Sequence, residues 1–535
     1  MLRTRLRRAI ALTALLALAL LAVCSRETRP KPQHVLLILV DTLRADHLGV
    51  YGYERPTSPV IDKLAGEGVR FERAISQSSW TNPSVVSLMT GRYIAKEMLE
   101  LPADLATLAE SFQKAGWTTG AFVSSTLITP KLGFARGFDH FVEIEKYGSN
   151  DAVVQWLHDS RGRKTFTYIH LLEPHDPYEG PAGHQTFRNQ HDLLPGDRAQ
   201  FYAQLEQSTQ LANSAAQIEH IKAEIGGYDD GVHGADERIG VFLAALDDAG
   251  LRATTALAVT ADHGEGLWQH VGFMNGLRAK KLRDGEAPNL TNMLMPTHGN
   301  QVHNELVHVP LILVAPGLAP GQVVGAPVEN VDLFPTLIEL ADLPSPGGLQ
   351  GTSLLRAIEG SHSGKDATFS YTQFNTALVT RDGMQLILPT EEGVCAEAIA
   401  PELFDLKSDP HQRHNLALER PELVKQLSAI SAQRIKIAIQ NAGSVSDATM
   451  ASLAEMGYLS QLEREELRRT MEAMSTADLV TKLCTFSTHC TERLAASEAL
   501  AKRELDDASK AALRAWRAKD SSVAVQHVLD AILAK

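Results

Sequence analysis

His34 to Val40 reads HVLLILV, an apolar run with no polar alternation, and it is closed at once by Asp41. A run of that kind is what a strand buried on both faces requires. Similar runs recur at Thr119 to Ser124, Thr165 to Leu171, Thr255 to Thr260 and Val309 to Ala315. Helix-like stretches lie between them, among them Ser58 to Gly66 and Leu105 to Gly116. Buried strands alternating with helices predict an α/β fold around a parallel sheet. In such sheets ligands bind beyond the carboxyl ends of the strands, so polar residues that close an apolar run are the first to inspect.

From about residue 373 the pattern changes. Ala377 to Leu388 (ALVTRDGMQLIL) predicts a hairpin turning at Asp382-Gly383. Glu402 to Leu406 predicts a further strand, and a helix is expected near Pro421 to Ala442. Residues 460–535 are rich in Ala, Leu and Glu and read as an appended helical region. The expected organisation is therefore an N-terminal leader at 1–24, a polar linker at 25–33, a large α/β domain at 34–372, a small antiparallel-sheet subdomain at 373–459 and a helical extension at 460–535. Gln200 to Ile225 is a polar, Gln- and Ala-rich helical pattern expected on the surface as an insertion. Gly272 to Thr297 is a second insertion, basic in its middle (Arg278, Lys280, Lys281, Arg283), which reads either as a lid or as a solvated loop.

The leader changes the picture of where the protein works. Arg3, Arg5, Arg7 and Arg8 precede an Ala/Leu run from Ala9 to Val23, the order expected of a secretory signal. The run is short for a membrane-spanning helix, which needs about 20 apolar residues. Leu21-Ala22-Val23-Cys24 has the form of a bacterial lipobox, with Cys24 as the lipidated residue and membrane anchor; ordinary cleavage nearby and an uncleaved anchor also fit. All three place the remainder outside the cytoplasm, in the periplasm or on a membrane. Of the other cysteines, Cys395 stands alone, and Cys484 and Cys490 need a helix break between them to pair. The chain of 535 residues has a net charge of −13, which argues against a nucleic-acid partner.

Four separated segments carry candidate chemistry. Asp41 ends a strand, where a carboxylate suits a hard cation; alone it is more often a turn residue, as Asp46 is expected to be. Ser79-Trp80-Thr81-Asn82-Pro83-Ser84 places Pro83 in the first turn of a helix with Asn82 as its cap, and Thr81 just before the helix N-terminus. That position favours negative charge, and a hydroxyl beside a divalent cation can become a nucleophile. Read by itself, Thr81 is a capping residue. Asp262-His263-Gly264 at the end of another strand can bring two ligands to one metal. His175, in a Pro-fixed loop after Thr165 to Leu171, and His298-Gly299 can ligate metal or donate to an anionic ester.

Taken in order, these segments resemble the sulfatase family of the alkaline-phosphatase superfamily. The resemblance rests on Asp41-Thr42-Leu43-Arg44-Ala45-Asp46-His47-Leu48-Gly49, Tyr51-Gly52-Tyr53, Thr57-Ser58-Pro59, Trp80-Thr81-x-Pro83-Ser84 with Thr90-Gly91, and Gly137-Phe138-Asp139. It continues through His175-x-Pro177-Tyr178, Asp262-His263-Gly264-Glu265, His298-Gly299, Val309-Pro310-Leu311, Gly351-Thr352-Ser353, Glu402-Leu403-Phe404-Asp405 and Met456-Gly457-Tyr458. It implies an α/β/α sandwich with a small C-terminal sheet subdomain. It also implies a divalent ion (Ca²⁺, Mg²⁺, Mn²⁺ or Zn²⁺) held by Asp41, Thr81, Asp262 and His263, with His175 and His298 facing the substrate ester. Relatives with two metals carry more ligands; His270 and His298 are the residues available for a second set.

The sequence also departs from the family. Sulfatases of the common type carry Cys-x-Pro-x-Arg, whose cysteine becomes formylglycine. The matching positions here are Thr81, Pro83 and Val85, so formylglycine is not expected and the supporting arginine is missing. Thr42 replaces the second residue of a frequent Asp-Asp pair. The family's lysine-rich substrate motif is not evident, and Arg92 and Lys96 are the basic residues in its place. Three readings follow. The first is an exported, metal-dependent hydrolase of phosphate or sulfate esters with Thr81 as nucleophile, acting on a small-molecule or envelope glycan or lipid ester. The second is a transferase of phosphate-linked headgroups. The third is a catalytically weak binding protein. The C-terminal helices would dock a partner or cover the core.

Overall fold

The structure is a computed structural model and describes residues 29–94, 100–181, 183, 185–189, 199–204, 214–270, 294, 298–360, 365–372, 374–390, 401–440, 469–483, 496, 499–500, 502–517, 529 and 533. The leader with Cys24, the cysteines Cys395, Cys484 and Cys490, Lys96, the 456–458 motif and most of the Gly272 to Thr297 insertion lie outside the described residues.

The strands, in chain order, are β1 (His34–Val40), β2 (Val69–Phe71), β3 (Ala74–Ile75), β4 (Thr118–Val123), β5 (His140–Glu143), β6 (Thr165–Leu171), β7 (Thr255–Thr260), β8 (His308–Val309), β9 (Leu311–Val314), β10 (Gln322–Val324), β11 (Val328–Glu329), β12 (Ala367–Tyr371), β13 (Asn375–Thr380), β14 (Met384–Pro389) and β15 (Glu402–Asp405). The helices that matter below are α1 (Pro59–Glu67), α2 (Thr81–Thr90), α3 (Leu108–Lys114), α4 (Asp151–Asp159), α5 (Ser214–Asp248), α6 (Asn304–Val307), α7 (Leu333–Leu340), α8 (Leu355–Ile358) and α9 (Pro421–Gln440).

Eight strands form one sheet in the order β10-β2-β9-β7-β1-β6-β4-β5. From β7 to β5 the strands are parallel. β1 sits between β6 and β7, with Val40 opposite Leu171 and Leu39 opposite Thr260. The carboxyl ends of β1, β6 and β7 therefore lie side by side, and every residue of the three strands is buried. That explains their unbroken apolar runs: neither face meets water.

Two expectations are corrected here. The run from Val309 to Ala315 is broken at Pro310 into β8 and β9, and β9 runs antiparallel to β7 and β2. A buried antiparallel strand and a buried parallel strand have the same composition, so the run alone did not set its direction. The Gln200 to Ile225 segment is not wholly a surface insertion, because its later part belongs to α5. Ile221, Ile225, Tyr228, Val232, Ala235, Ile239 and Phe242 are all buried at helical spacing along that helix.

The C-terminal sheet is antiparallel, β12-β13-β14-β15. Its hairpin turns where Asp382-Gly383 predicted, with Gly383 at φ 94°, and α9 follows. The described part of the extension contains the helices Thr476–Leu483 and Asp507–Arg517. Their apolar residues, Leu479, Leu483, Leu513 and Trp516 among them, share a small core of their own.

A buried charge cluster joins the C-terminal sheet to β11, a strand of the three-stranded sheet β11-β3-β8. Lys365, which leads into β12, pairs with Glu329 and, at 2.8 Å, with Asp332. Glu329 also accepts from Tyr93 Oη at 2.6 Å and from the N–H of Phe369 in β12 at 2.8 Å. Glu329 and Asp332 are 0% and 2% exposed. Removing the cation leaves two carboxylates buried without it, a loss of about 3–5 kcal/mol. Lys365→Met is therefore expected to lower the unfolding free energy by an amount of that order; a loss below about 1 kcal/mol in a chemical-denaturation series contradicts this assignment.

Candidate active site

The site begins with chain geometry. β1 ends at Val40, and the N–H of Asp41 still bonds to the Leu171 carbonyl of β6 at 2.8 Å, so Asp41 is fixed by the sheet. Thr42 then turns away with φ 58°, an outlier for a β-branched residue. Tyr228 of α5 holds the turn: its hydroxyl donates to the Thr42 carbonyl at 2.7 Å and accepts the Arg44 N–H at 2.9 Å. Thr42 adds no side-chain oxygen to the site. Its hydroxyl donates to the Asp41 carbonyl at 2.7 Å, and its N–H reaches Asp262 Oδ1 at 3.2 Å.

The Asp262 turn is held from behind. Ser84 Oγ of α2 donates to the Asp262 carbonyl at 2.5 Å, and Ser76 Oγ does the same. Asn330 Nδ2 donates to the Ala261 carbonyl at 2.7 Å. Gly264 packs so closely that a Cβ there would lie 2.0 Å from the Glu305 carbonyl oxygen. Arg44, fully buried, donates to the Glu265 carbonyl at 3.0 Å and to both Asp46 oxygens, at 2.8 and 2.6 Å. Asp46, expected as a turn residue, lies in a 3₁₀ turn and serves as the partner of Arg44.

α2 starts two residues earlier than expected. Its first residue is Thr81, with Trp80 as cap, and Asn82 and Pro83 lie inside the first turn. Proline at the third position is tolerated because the first-turn N–H groups have no partner within the helix. Every residue of α2 is buried. The helix carries no charged side chain, which is why it can pass through the interior.

Asp41, Thr81, Asp262 and His263 come together. Thr81 Oγ1 lies 3.4 Å from Asp41 Oδ2 and 3.2 Å from His263 Nε2. Asp41, Asp262 and His263 each bring one ligand atom to within 4.8 Å of the others. Each carboxylate has one oxygen tied and one bare. Asp262 Oδ1 accepts the N–H groups of Thr42 and His263, at 3.2 and 2.9 Å, while Oδ2 has no hydrogen-bond partner. Asp41 Oδ2 accepts from His170 Nε2 at 3.2 Å, while Oδ1 has no hydrogen-bond partner. Two bare, fully buried carboxylate oxygens beside a neutral imidazole are a poor arrangement without a counter-charge and a suitable one for a divalent cation.

The titrations follow. Burial pushes Asp262 well above the usual carboxylate range, and the Asp41 charge adds to it. Burial also acts upward on Asp41, but the His170 hydrogen bond and the surrounding histidines hold it well below that range. Burial and then His298 lower His263 to about 3, so its imidazole is neutral.

His170, inside the apolar run Thr165 to Leu171, was not among the expected site residues. Tyr168, which burial keeps protonated, donates to His170 Nδ1 at 2.9 Å. That leaves Nε2 as the donor to Asp41, a tautomer assigned from the network. Strand alternation, with Tyr168 and His170 on one face of β6, was the available signal.

His175 and His298 lie on the open side. Their ring centroids are 5.1 Å apart, and His298 is 4.4 Å from His263. Glu265, fully buried, accepts from His298 Nδ1 at 3.1 Å. Burial alone would lower His298, and the Glu265 carboxylate more than offsets it. Lys146 donates to the carbonyls of His175 and Pro177, at 2.5 and 3.0 Å, and fixes that loop; the sequence offered no signal for it. His270 does not join His298 in a second ligand set. It lies instead beside His303 and Glu305. Arg92 lies past the far end of α2, against the Gly348 backbone, and does not reach Thr81.

Comparisons with known proteins bear on the family and the fold. The model of the family "Sulfatase" matches residues 33–343, and that of "N-sulphoglucosamine sulphohydrolase, C-terminal" matches residues 299–437. The chain is 25% identical over 435 residues to an ulvan-active sulfatase of Formosa agariphila, covering 74% of this chain and 79% of that protein. It is 26% identical over 477 residues to arylsulfatase A of Homo sapiens, covering 77% of this chain and 90% of that protein. Among solved structures, a phosphonate monoester hydrolase of Agrobacterium radiobacter superposes with a TM-score of 0.57 at 19% identity, over 76% of this chain and 96% of that one. This last likeness speaks for the fold. With the family model spanning residues 33–343 of 535, the chain belongs to the sulfatase family and is an ester-bond hydrolase.

Proposed function

We propose that the chain is a cation-dependent hydrolase of phosphate esters in which Thr81 is the nucleophile. The observation that carries this reading is the position of Thr81 Oγ1. It lies at the N-terminus of α2, within 3.4 Å of a carboxylate and 3.2 Å of an imidazole of the three-residue ligand group. A cation held by Asp41, Asp262 and His263 would lower the pKa of the Thr81 hydroxyl and neutralise charge on the transferred group. Oxygen-rich donors with one imidazole suit Ca²⁺, Mg²⁺, Mn²⁺ or Zn²⁺.

The protein's own groups do the rest. Thr81 Oγ, its proton released to water, attacks phosphorus, and the bond to the leaving oxygen breaks. His175 and His298 face the ester and protonate or hydrogen-bond the departing oxygen. Water then attacks the phospho-threonine, the Oγ–P bond breaks and Thr81 regains its proton. Glu265 and Lys146 position the two histidines. Threonine cannot form the hydrated aldehyde that sulfate cleavage uses in formylglycine enzymes, which supports a phosphate ester. The relatives named as sulfatases support a sulfate ester as the second reading. The leader supports export, and hence an ester outside the cytoplasm.

Thr81→Ala is expected to lower kcat at least about a thousandfold on the ester that the wild type turns over, with Thr81→Ser retaining part of it. A panel of chromogenic phosphodiester, phosphomonoester and sulfate ester reads this out. Phosphodiester or phosphomonoester turnover is the expected result; turnover of the sulfate ester alone favours the second reading, and undiminished turnover by Thr81→Ala sinks the nucleophile. Chelator is expected to remove the activity and a divalent salt to restore it. Asp41→Asn and Asp262→Asn should each weaken cation binding, measured by calorimetry, at least about tenfold. Unchanged affinity in both variants contradicts the assigned ligands.

A further inference from the structure

Behind the Asp262 turn lies a second cluster that the reaction does not use. His270, His303 and Glu305 each bring a ligand atom to within 4.8 Å of the others. The rings of His270 and His303 stack at 4.1 Å, with an angle of 11° between their planes. His270 Nδ1 pairs with Glu305 Oε1 at 2.5 Å, and His303 Nε2 pairs with Glu402 Oε2 at 3.1 Å. The remaining ring nitrogens, His270 Nε2 and His303 Nδ1, are buried and have no hydrogen-bond partner. The side chains of His303 and Glu305 are each 5% exposed.

We propose that these residues form a second divalent-cation site, with Zn²⁺ as the preferred ion, whose role is structural. His303 gives Nε2 to the Glu402 carboxylate and has Nδ1 unused, which is how metal-bound histidines are usually oriented, while His270 Nδ1 and Glu305, now paired with each other, would both turn to the ion as it displaces the shared proton. A carboxylate completes the set: Glu305 stands beside both rings. Imidazole-rich sites favour Zn²⁺ over Ca²⁺ or Mg²⁺, in contrast to the oxygen-rich group around Asp41. Tetrahedral zinc ligands stand about 3.3 Å apart, inside the 4.8 Å limit that the three residues meet, so ion binding requires side-chain rotation to bring the donors into one shell.

The ligands come from separate parts of the chain. His270 follows the Asp262-His263-Gly264-Glu265 turn. His303 caps α6, and Glu305 lies within it. Glu402, which orients His303, starts β15 of the C-terminal sheet. The N–H of Gly264 already bonds to the Leu306 carbonyl of α6 at 2.8 Å. A cation here staples the turn that carries Asp262 and His263 to α6, and through Glu402 to the small sheet. The inference does not depend on the reaction proposed above.

The test separates the two sites. Full chain carrying Asp41→Asn and Asp262→Asn is stripped with chelator, exposed to Zn²⁺ and analysed by plasma mass spectrometry. It is expected to retain one zinc per chain and to gain thermal stability from it, and adding His270→Ala and His303→Ala is expected to abolish both. If the Asp41→Asn, Asp262→Asn protein takes up no zinc, the proposal is overturned. Should the variants fail to fold, anomalous scattering at the zinc edge from crystals of the unaltered protein decides. A peak among His270, His303 and Glu305 supports the site; a peak at Asp41, Asp262 and His263 with none there refutes it.

Discussion

Two carboxylates of like charge, Asp41 and Asp262, are held side by side in the interior with one bare oxygen each. Burying one unpaired charge is costly and burying two together more so. The surrounding structure resists their separation. The parallel sheet fixes Asp41 through the Leu171 carbonyl, and Tyr228 secures the left-handed turn at Thr42. Ser76, Ser84 and Asn330 hold the backbone of the Asp262 turn. The rest of the site follows from that constraint. Thr81 opens a wholly buried helix that points its N-terminus at the pair, and the histidines line the open side.

Backbone strain and unpartnered carboxylate oxygens meet at this site. Thr42 occupies a backbone region that costs of order 1–3 kcal/mol for such a residue, and the bare oxygens add to it. A protein selected only for stability would replace either carboxylate. Their presence beside a hydroxyl at a helix N-terminus favours a cation and chemistry there, and the sulfatase-family match gives the reaction class.

Much of this was legible in the sequence, for a specific reason. β1, β6 and β7 are buried on both faces, so their boundaries coincide with unbroken apolar runs, and the residues closing those runs are functional candidates by position. Asp41, Asp262 and His263 were found in that way. Direction and depth were less legible. Leu311–Val314 has the composition of its parallel neighbours but runs the other way. The polar start of α5 concealed a stripe from Ile221 to Phe242 that packs in the core. Pro83 suggested a helix beginning two residues later than it does. The supporting partners were not legible: Lys146, Tyr228 and Glu402 are far from the site in sequence, and no local pattern distinguishes them from surface residues. His303 and Glu305 are likewise ordinary until the fold brings His270 beside them.

In the proposed reaction Thr81 becomes covalently bound to the transferred group. Rapid acid quenching during turnover of a phosphodiester, followed by peptide mass mapping, tests it directly. The account predicts a phosphoester adduct on the peptide containing Thr81, absent without substrate and absent in Thr81→Ser only if serine's intermediate breaks down too fast to trap. An adduct on another residue, or active turnover with no adduct while a known threonine-nucleophile enzyme is trapped under the same quench, contradicts it.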